Sequence, residues 1–114
     1  METIVNTHKI EYSEIIKRIL REVEAEKIIL FGSRARGDNK PDSDLDLLII
    51  VKDDFSKNNS RWKHTFKIRK ALKDFIIPKD ILIFSQSEVE YWKDSLNHII
   101  PTCLREGKVL YERS

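Results

Sequence analysis

Residues 31–51 read FGSRARGDNKPDSDLDLLIIV, and this stretch decides the fold. The apolar run 27–31 stops at Gly32, and a second apolar run, 45–51, follows a polar segment rich in Gly, Asp and Pro. Short apolar runs bounded by turn residues predict buried strands. The second run shows little polar alternation, which indicates a central strand covered on both faces.

Two carboxylates stand at the start of the second run. Asp44 and Asp46 are two residues apart, so in an extended strand they project from the same face. Their mutual repulsion would be relieved by a hard divalent cation such as Mg²⁺, which bridges carboxylates and substrate phosphates. Asp80 opens a third apolar run and adds a third carboxylate if that strand lies beside the second. The trio then predicts two metal ions, about 3.5–4 Å apart, that assist displacement at a phosphate.

The turn after the first strand has the composition of a phosphate-binding segment. Gly32 lacks a Cβ atom and so allows close approach of the backbone to a phosphate, while Ser33 adds a hydroxyl. Arg34 and Arg36 follow directly. They either reach phosphates as planar cations or form a solvated helix start, and the sequence alone leaves both interpretations open.

Helical patterns flank these strands. Apolar spacing predicts a helix over 11–24, and Ser60 is placed to cap a second over 61–75, with Trp62, Phe66 and Leu72 on one face. A third predicted helix contains Val89 and is capped by a residue within 85–87. A fourth covers about 95–106. The tail KVLYER is predicted to add a short edge strand. This alternation predicts a single α/β domain over residues 1–114, with a sheet layered by helices.

Composition excludes several classes of protein. Apolar residues make up 40% and charged residues 35% of the chain, and no apolar run approaches the roughly 18–20 residues that cross a bilayer. The N-terminal stretch has no apolar core typical of a secretory signal. Cys103 is the only cysteine, which excludes an intramolecular disulfide and fits a cytoplasmic protein. The charge asymmetry between the two halves is too weak to predict general nucleic-acid binding.

Other motifs fail at particular positions. A calcium loop beginning at Asp42 needs Gly at its sixth position and Glu at its twelfth, where this chain has Leu47 and Asp53. A Walker A loop needs further glycines and a specific Lys. The basic run in the 61–75 helix is by default a solvated face, with phosphate or partner binding as the second interpretation. Trp62 and Trp92 are predicted to be core or partner-facing aromatics.

At this point a resemblance becomes visible. Gly32-Ser33, ten intervening residues and Asp44-Leu45-Asp46 resemble the signature of the polymerase-β-like nucleotidyltransferase superfamily, and Asp80 is similar to its third carboxylate. The small size, the arginines after Gly-Ser and the ending REGKVLYER look like the minimal nucleotidyltransferase (MNT) subfamily. The resemblance implies a single-domain nucleotidyltransferase fold with a small mixed β-sheet flanked by helices.

The resemblance also implies a function. MNT proteins are typically encoded beside a HEPN-domain ribonuclease toxin and act as its antitoxin by transferring AMP from ATP to a toxin tyrosine. The implied metal ligands and catalytic residues are Asp44, Asp46 and Asp80, with two Mg²⁺ ions. The implied nucleotide-binding residues are Gly32, Ser33, Arg34 and Arg36. The expected assembly is a hetero-oligomer with the toxin, without direct nucleic-acid or membrane binding.

Two other functions stay open on sequence grounds. The chain could neutralise its toxin by binding alone, with idle catalytic residues. It could also transfer a nucleotide to a small molecule or an RNA end, although it lacks the extra domain that larger nucleotidyltransferases use to hold such acceptors. The choice of ATP comes from the resemblance, since no base-reading residue is visible.

Overall fold

The computed structural model describes residues 10–114. Residues 1–9, which carry most of the stretch used to argue against a secretory signal, lie outside this range. The described chain forms five helices and four strands: α1 (Tyr12–Glu22), β1 (Ala25–Phe31), α2 (Ser33–Arg36), β2 (Leu45–Val51), α3 (Arg61–Ala71), β3 (Lys79–Ser85), α4 (Gln86–Trp92), α5 (Ile99–Glu106) and β4 (Lys108–Glu112).

The four strands form one mixed sheet in the order β3-β2-β1-β4. β1 pairs antiparallel with both β2 and β4, whereas β2 and β3 run parallel. The parallel pair needs a crossover connection, and α3 supplies it. The predicted α/β architecture with a small mixed sheet flanked by helices is therefore confirmed, and the tail forms the predicted edge strand.

Both faces of β2 are buried, as its continuous apolar run predicted. Leu45, Leu47 and Ile49 face one side of the sheet, where they join a core that includes Ile15 of α1 and Ile68 of α3. Leu48 and Ile50 face the other side, where Ile100 and Cys103 of α5 cover them. Because successive residues of a strand point to opposite faces, β2 contributes to both cores at once.

Two helices differ from their predicted extents. α3 ends at Ala71, with Leu72 as its C-cap residue, rather than continuing to 75. α5 begins at Ile99 rather than near 95, because the His98 ring accepts the Ile100 N–H at 3.1 Å and fixes the helix start there. In the described part of the chain, we find no helix that is long and apolar enough to cross a membrane.

The predicted shared face of Trp62, Phe66 and Leu72 is wrong. Leu72 is buried, together with Ile68, whereas Trp62 and Phe66 are exposed. A spacing of six residues turns a helix by about 240°, so Trp62 cannot share the buried side of α3 with Ile68. Trp92, in contrast, is partly buried against the α5 side of the core.

Candidate active site

The sheet brings the three predicted carboxylates to one end. In the parallel β2–β3 pair Asp46 is the register partner of Asp80, which confirms the adjacency that the sequence required. Side chains two residues apart on a strand share a face, so Asp46 lies on the same face as Leu48, and Asp80 on the same face as Leu82. This face is the one that α4 and α5 cover. Asp44 immediately precedes β2, whose first residue, Leu45, donates its N–H to the Pro78 carbonyl at 2.8 Å.

Exposure differs within the trio. Asp46 is half-buried, while Asp44 and Asp80 are exposed on either side of it. Burial, followed by repulsion from Asp80 and Asp44, raises the pKa of Asp46 to about 6, against a smaller opposing effect of Arg36 and Arg34. Asp80 and Asp44 are therefore close enough to disfavour the charge of Asp46, which is the electrostatic problem that a bound cation relieves.

The backbone of Gly32 lies directly beside the Asp46 carboxylate. Its φ is +76°, a conformation that side chains with a Cβ rarely adopt, and an added Cβ would lie 2.1 Å from Asp46 Oδ2. The backbone at the end of β1 therefore packs directly against the Asp46 carboxylate. Ser33 opens α2 at this point, and the first N–H groups of any helix lack partners within the helix. Ala35 and Arg36 donate their N–H groups to the Gly32 carbonyl, at 3.1 Å each, which leaves those of Ser33 and Arg34 as the N–H groups that could meet an anion held beside Asp46.

Arg34 is placed differently from the prediction that it binds nucleotide. Its side chain is buried, with 6% of the residue exposed. The guanidinium donates to the Ser43 carbonyl at 3.0 and 3.3 Å and to the Pro41 carbonyl at 3.1 Å. It therefore ties α2 to the loop that ends at Asp44, and this engagement argues against direct contact with a nucleotide.

Arg36 is the more accessible arginine of the pair. Its side chain is about half exposed and pairs with Asp38 at 3.2 Å and with Glu106 of α5 at 3.9 Å. Exposed ion pairs of this kind are weak and exchange readily with other anions. Arg36 thus retains the freedom to contact a phosphate that the buried Arg34 lacks.

The donor set fits Mg²⁺ bound together with a substrate. Within residues 10–114 there is no group of three or more His, Cys, Asp or Glu side chains that could hold a metal ion unaided. Mg²⁺ seldom uses such an all-protein cage and instead combines one or two carboxylates with substrate phosphates and water. Asp46, with Asp44 and Asp80 beside it, offers that open arrangement.

Cys103 of α5, which the sequence analysis identified only as the single cysteine, is a buried neighbour of the site. Burial, and then the negative charges of Asp46 and Asp80, raise the pKa of its thiol to about 11. The thiol therefore stays protonated at neutral pH and is a poor nucleophile. Its role is to pack α5 against the sheet beside the carboxylates, a role that no spacing in the sequence indicated.

A cleft lies elsewhere on the described part of the chain. It has a volume of about 860 Å³, opens beyond the C-terminal end of β2, and is lined by residues that include Lys52, Asp53 and Asp54. None of the predicted site residues lines it. The candidate site at Asp46, in contrast, presents its carboxylates on an open surface, the arrangement expected of a site that a metal–nucleotide complex would complete.

Comparison with known proteins identifies the family of this chain. The family model described as "Nucleotidyltransferase domain" matches residues 12–108. A protein of Methanocaldococcus jannaschii named "Putative protein adenylyltransferase" is 38% identical over 73 residues, which cover 64% of this chain and 68% of that protein.

The fold is also similar to solved structures. A chain in the crystal structure of a toxin–antitoxin with AMP-PNP superposes with a TM-score of 0.60 at 20% identity, covering 92% of this chain and 76% of that one. A chain in the complex of tri-AMPylated Shewanella oneidensis HEPN toxin with MNT antitoxin gives a TM-score of 0.51 at 19% identity, covering 89% and 69%. Since the family model spans α1 to β4 and the paired carboxylates lie inside it, the chain belongs to the nucleotidyltransferase domain family.

Proposed function

We propose that this chain is an MNT antitoxin that transfers AMP from ATP to a tyrosine of a partner HEPN ribonuclease toxin and so silences it. The observation that carries the proposal is the pairing of Asp46 with Asp80 on adjacent parallel strands, against the Cβ-free backbone of Gly32. The protein acceptor is supported by the name of the M. jannaschii relative and by the similarity in fold to a chain from a complex that contains an AMPylated HEPN toxin.

In this proposal Asp44, Asp46 and Asp80 would hold Mg²⁺ together with the substrate phosphates. The metal, expected as two ions, would supply the positive charge that offsets the triphosphate and the charge that develops during transfer. Gly32 and Ser33 hold the phosphates through backbone N–H groups and the serine hydroxyl. Arg36 contributes a cation at the same edge, while Arg34 positions the loop that carries Asp44.

The transfer is an in-line displacement at the α-phosphorus. The tyrosine oxygen forms a new bond to that phosphorus, and the bond from the phosphorus to the bridging oxygen of the β-phosphate breaks. Pyrophosphate leaves with the electron pair, and the hydroxyl proton passes to Asp80, the exposed carboxylate on the acceptor side. The product is an AMP–tyrosine phosphodiester on a partner that forms a hetero-oligomer with this chain.

The test needs the partner, which the proposal expects to be a HEPN-domain protein encoded beside the gene of this chain. This partner is incubated with the chain, Mg²⁺ and ATP labelled on the α-phosphate, and its intact mass is measured. We expect the mass of one or more AMP groups on the HEPN protein. Asp44→Asn and Asp46→Asn should each slow transfer by more than about 100-fold, the effect typical of removing a group that stabilises a transition state. Asp53→Asn, at the other end of β2, is the matched control and should transfer normally.

The same assay separates catalysis from neutralisation by binding alone. If the intact chain binds the HEPN protein tightly and inhibits its ribonuclease activity, yet adds no AMP, the enzymatic proposal is wrong. If the Asp46→Asn variant still neutralised the toxin in cells, that result would also count against the enzymatic proposal. Label that appears instead on an RNA end or a small molecule would reassign the acceptor.

A further inference from the structure

The outer face of α3 carries two large aromatic side chains in solvent. Trp62 is 69% exposed and Phe66 is 54% exposed. They are one helical turn apart, and their ring centroids lie 5.8 Å from each other at an interplanar angle of 55°. Single exposed apolar residues are ordinary, but two contacting aromatic rings form an apolar block that usually marks a binding surface.

The same helix carries an excess of positive charge. Between residues 61 and 73 the sequence contains no Asp or Glu. Arg61 is bound to Glu88. In the described part of the chain, we find no ion pair within 4 Å for the remaining basic residues of this stretch, all of them exposed: Lys63, Lys67, Arg69, Lys70 and Lys73. On α1, by comparison, Lys17 and Arg18 are both paired with Glu14.

This surface reaches the end of the sheet that carries the carboxylates. Arg69 donates from Nη1 to the carbonyl of Lys79 at 3.4 Å, and Lys79 immediately precedes Asp80. β3 is an edge strand, with no further described strand beyond it. The Arg69 end of this surface therefore lies beside the start of β3, next to Asp80, whereas Arg61, beside Trp62, contacts the Ile83 carbonyl near the other end of the strand. Because α3 covers the sheet face opposite to the carboxylates, a partner on α3 would reach Asp80 by extending around the edge of β3.

We propose that the outer face of α3, from Trp62 and Phe66 to Arg69, is the docking surface for an acidic partner protein. This inference rests on the proposed function, because the partner is taken to be the protein that receives AMP. Unpaired cations attract an acidic surface over a distance and orient its approach, while the aromatic block supplies the contact that desolvates on docking.

The residue types favour a protein over a nucleic acid. Trp, Phe and Arg are enriched at the centres of protein interfaces and among the residues that contribute most to binding. Single-stranded nucleic acid instead uses aromatic rings on which successive bases stack. Here Trp62 and Phe66 pack on each other, so they present one apolar unit to a pocket rather than two separate stacking platforms.

The test measures the Kd of the proposed HEPN-domain partner for the full chain and its variants. Trp62→Ala combined with Phe66→Ala should weaken binding by about 30-fold or more, as expected for interface aromatics. Combining Lys63→Glu, Lys67→Glu and Lys70→Glu should slow association and reduce its dependence on salt. Tyr91→Ala removes an equally exposed aromatic from α4 and is the matched control.

Two further readouts keep the proposals apart. Binding of ATP with Mg²⁺ should be unchanged in every α3 variant, which shows that the fold and the carboxylates are intact. If the intact chain binds and modifies its partner and the α3 variants do so equally well, the docking surface is wrong and the proposed function stands. If the intact chain binds without transferring AMP and the α3 variants lose binding, the docking surface stands and the enzymatic proposal is wrong.

Three results would overturn the docking surface directly. One is failure of the intact chain to bind the HEPN protein, which would also remove the proposed partner. Another is weakening by Tyr91→Ala as large as that by the α3 aromatic variant. The third is tight binding of a labelled single-stranded RNA that the α3 variants lose while partner binding is unchanged, because that would make the face a nucleic-acid surface.

Discussion

At the scale of single residues, Gly32 shows how closely the backbone and a carboxylate share space. Gly32→Ala would combine a strained positive φ with a Cβ only 2.1 Å from Asp46 Oδ2. We expect this variant to lose AMP transfer, because Asp46 must move to relieve the clash. The measurement pairs the transfer assay with unfolding in urea.

Gly37 offers a matched control for that substitution. Its φ is +84°, but an added Cβ would meet no atom within 4 Å. Gly37→Ala should therefore cost about 1–2 kcal/mol in backbone strain alone and leave transfer largely intact. Similar activity in the two alanine variants would show that contact with Asp46 does not matter.

Arg34 is predicted to act on the site through the loop that ends at Asp44. Arg34→Gln removes the forked donor that bonds the Pro41 and Ser43 carbonyls, and we expect a loss of about 1–3 kcal/mol in the free energy of unfolding. Transfer should then need more Mg²⁺, because Asp44 is less well fixed. Arg34→Lys should recover only part of this, since a single ammonium does not match two carbonyls.

The neighbouring arginine provides the comparison. Arg36→Gln should change stability by less than about 0.5 kcal/mol, because its ion pairs are exposed. A titration of activity against Mg²⁺ for both variants separates the two roles. Equal Mg²⁺ requirements in Arg34→Gln and in the unsubstituted chain would refute the positioning role.

The candidate site could be predicted from sequence only as far as spacing carries information. The two-residue step from Asp44 to Asp46 fixes a shared face, and Asp80 needed only a neighbouring strand to join them. Spacing does not show which loop carbonyls will accept hydrogen bonds from a side chain. From the sequence, therefore, Arg34 and Arg36 had the same predicted role, since both are charged residues in a polar segment. Burial separates them, and burial depends on the folded loop.

At the scale of elements, the capping of α3 and α4 gives a measurable contrast. Ser85 is fully buried, caps Glu88 N–H at 3.2 Å and donates to Asp54 at 2.9 Å. Ser60 caps Lys63 N–H at 3.1 Å and is less buried. We expect Ser85→Ala to lower the free energy of unfolding by about 1–2 kcal/mol and Ser60→Ala by about 0.5–1 kcal/mol.

Urea titrations of the two serine variants test this order. The transition midpoint should fall further for Ser85→Ala, with an unchanged slope in both variants, since neither changes how much surface unfolds. The opposite order would mean that the capping box of α4 contributes little to the stability of the fold. Partner binding is a useful second measurement, because loosening α3 should weaken it if α3 is the docking surface.

The elements themselves were largely predictable, and their arrangement was not. Apolar runs located β1, β2 and β3, and serine caps located the starts of α3 and α4. The end of α3 and the start of α5 were less accurate, because a helix boundary depends on tertiary contacts and on caps such as the His98 ring, which the apolar spacing does not show. The pairing of β4 with β1, and the exposure of Trp62, depend on which surfaces meet, and a linear pattern does not contain that information.

At the scale of the whole molecule, the carboxylates proposed to bind the metal lower the stability of the metal-free folded chain. Burial and the neighbouring acids raise the pKa of Asp46 to about 6 in the folded chain, above the value near 3.8 expected when unfolded. Below about pH 4 the group is protonated in both states and has little effect. Between about pH 4 and pH 6 the unfolded chain loses this proton while the folded chain keeps it, so stability falls across this window and the full reduction is present above about pH 6.

Asp46→Asn should therefore make the metal-free chain more stable while it abolishes transfer. The amide keeps the shape of the carboxylate beside Gly32 but does not ionise. After allowance for solvent screening of the partly exposed group, we expect a gain of about 1–2 kcal/mol at pH 7.5 in EDTA, and little difference near pH 4. With saturating ATP and Mg²⁺ the unsubstituted chain should become the more stable of the two. A ligand that binds only the folded state stabilises it by about 2.7 kcal/mol at 100 times the Kd, and the variant should bind this ligand poorly. An Asn variant less stable than the unsubstituted chain in EDTA at pH 7.5 would mean that the carboxylate is held by contacts within the protein rather than left for a metal.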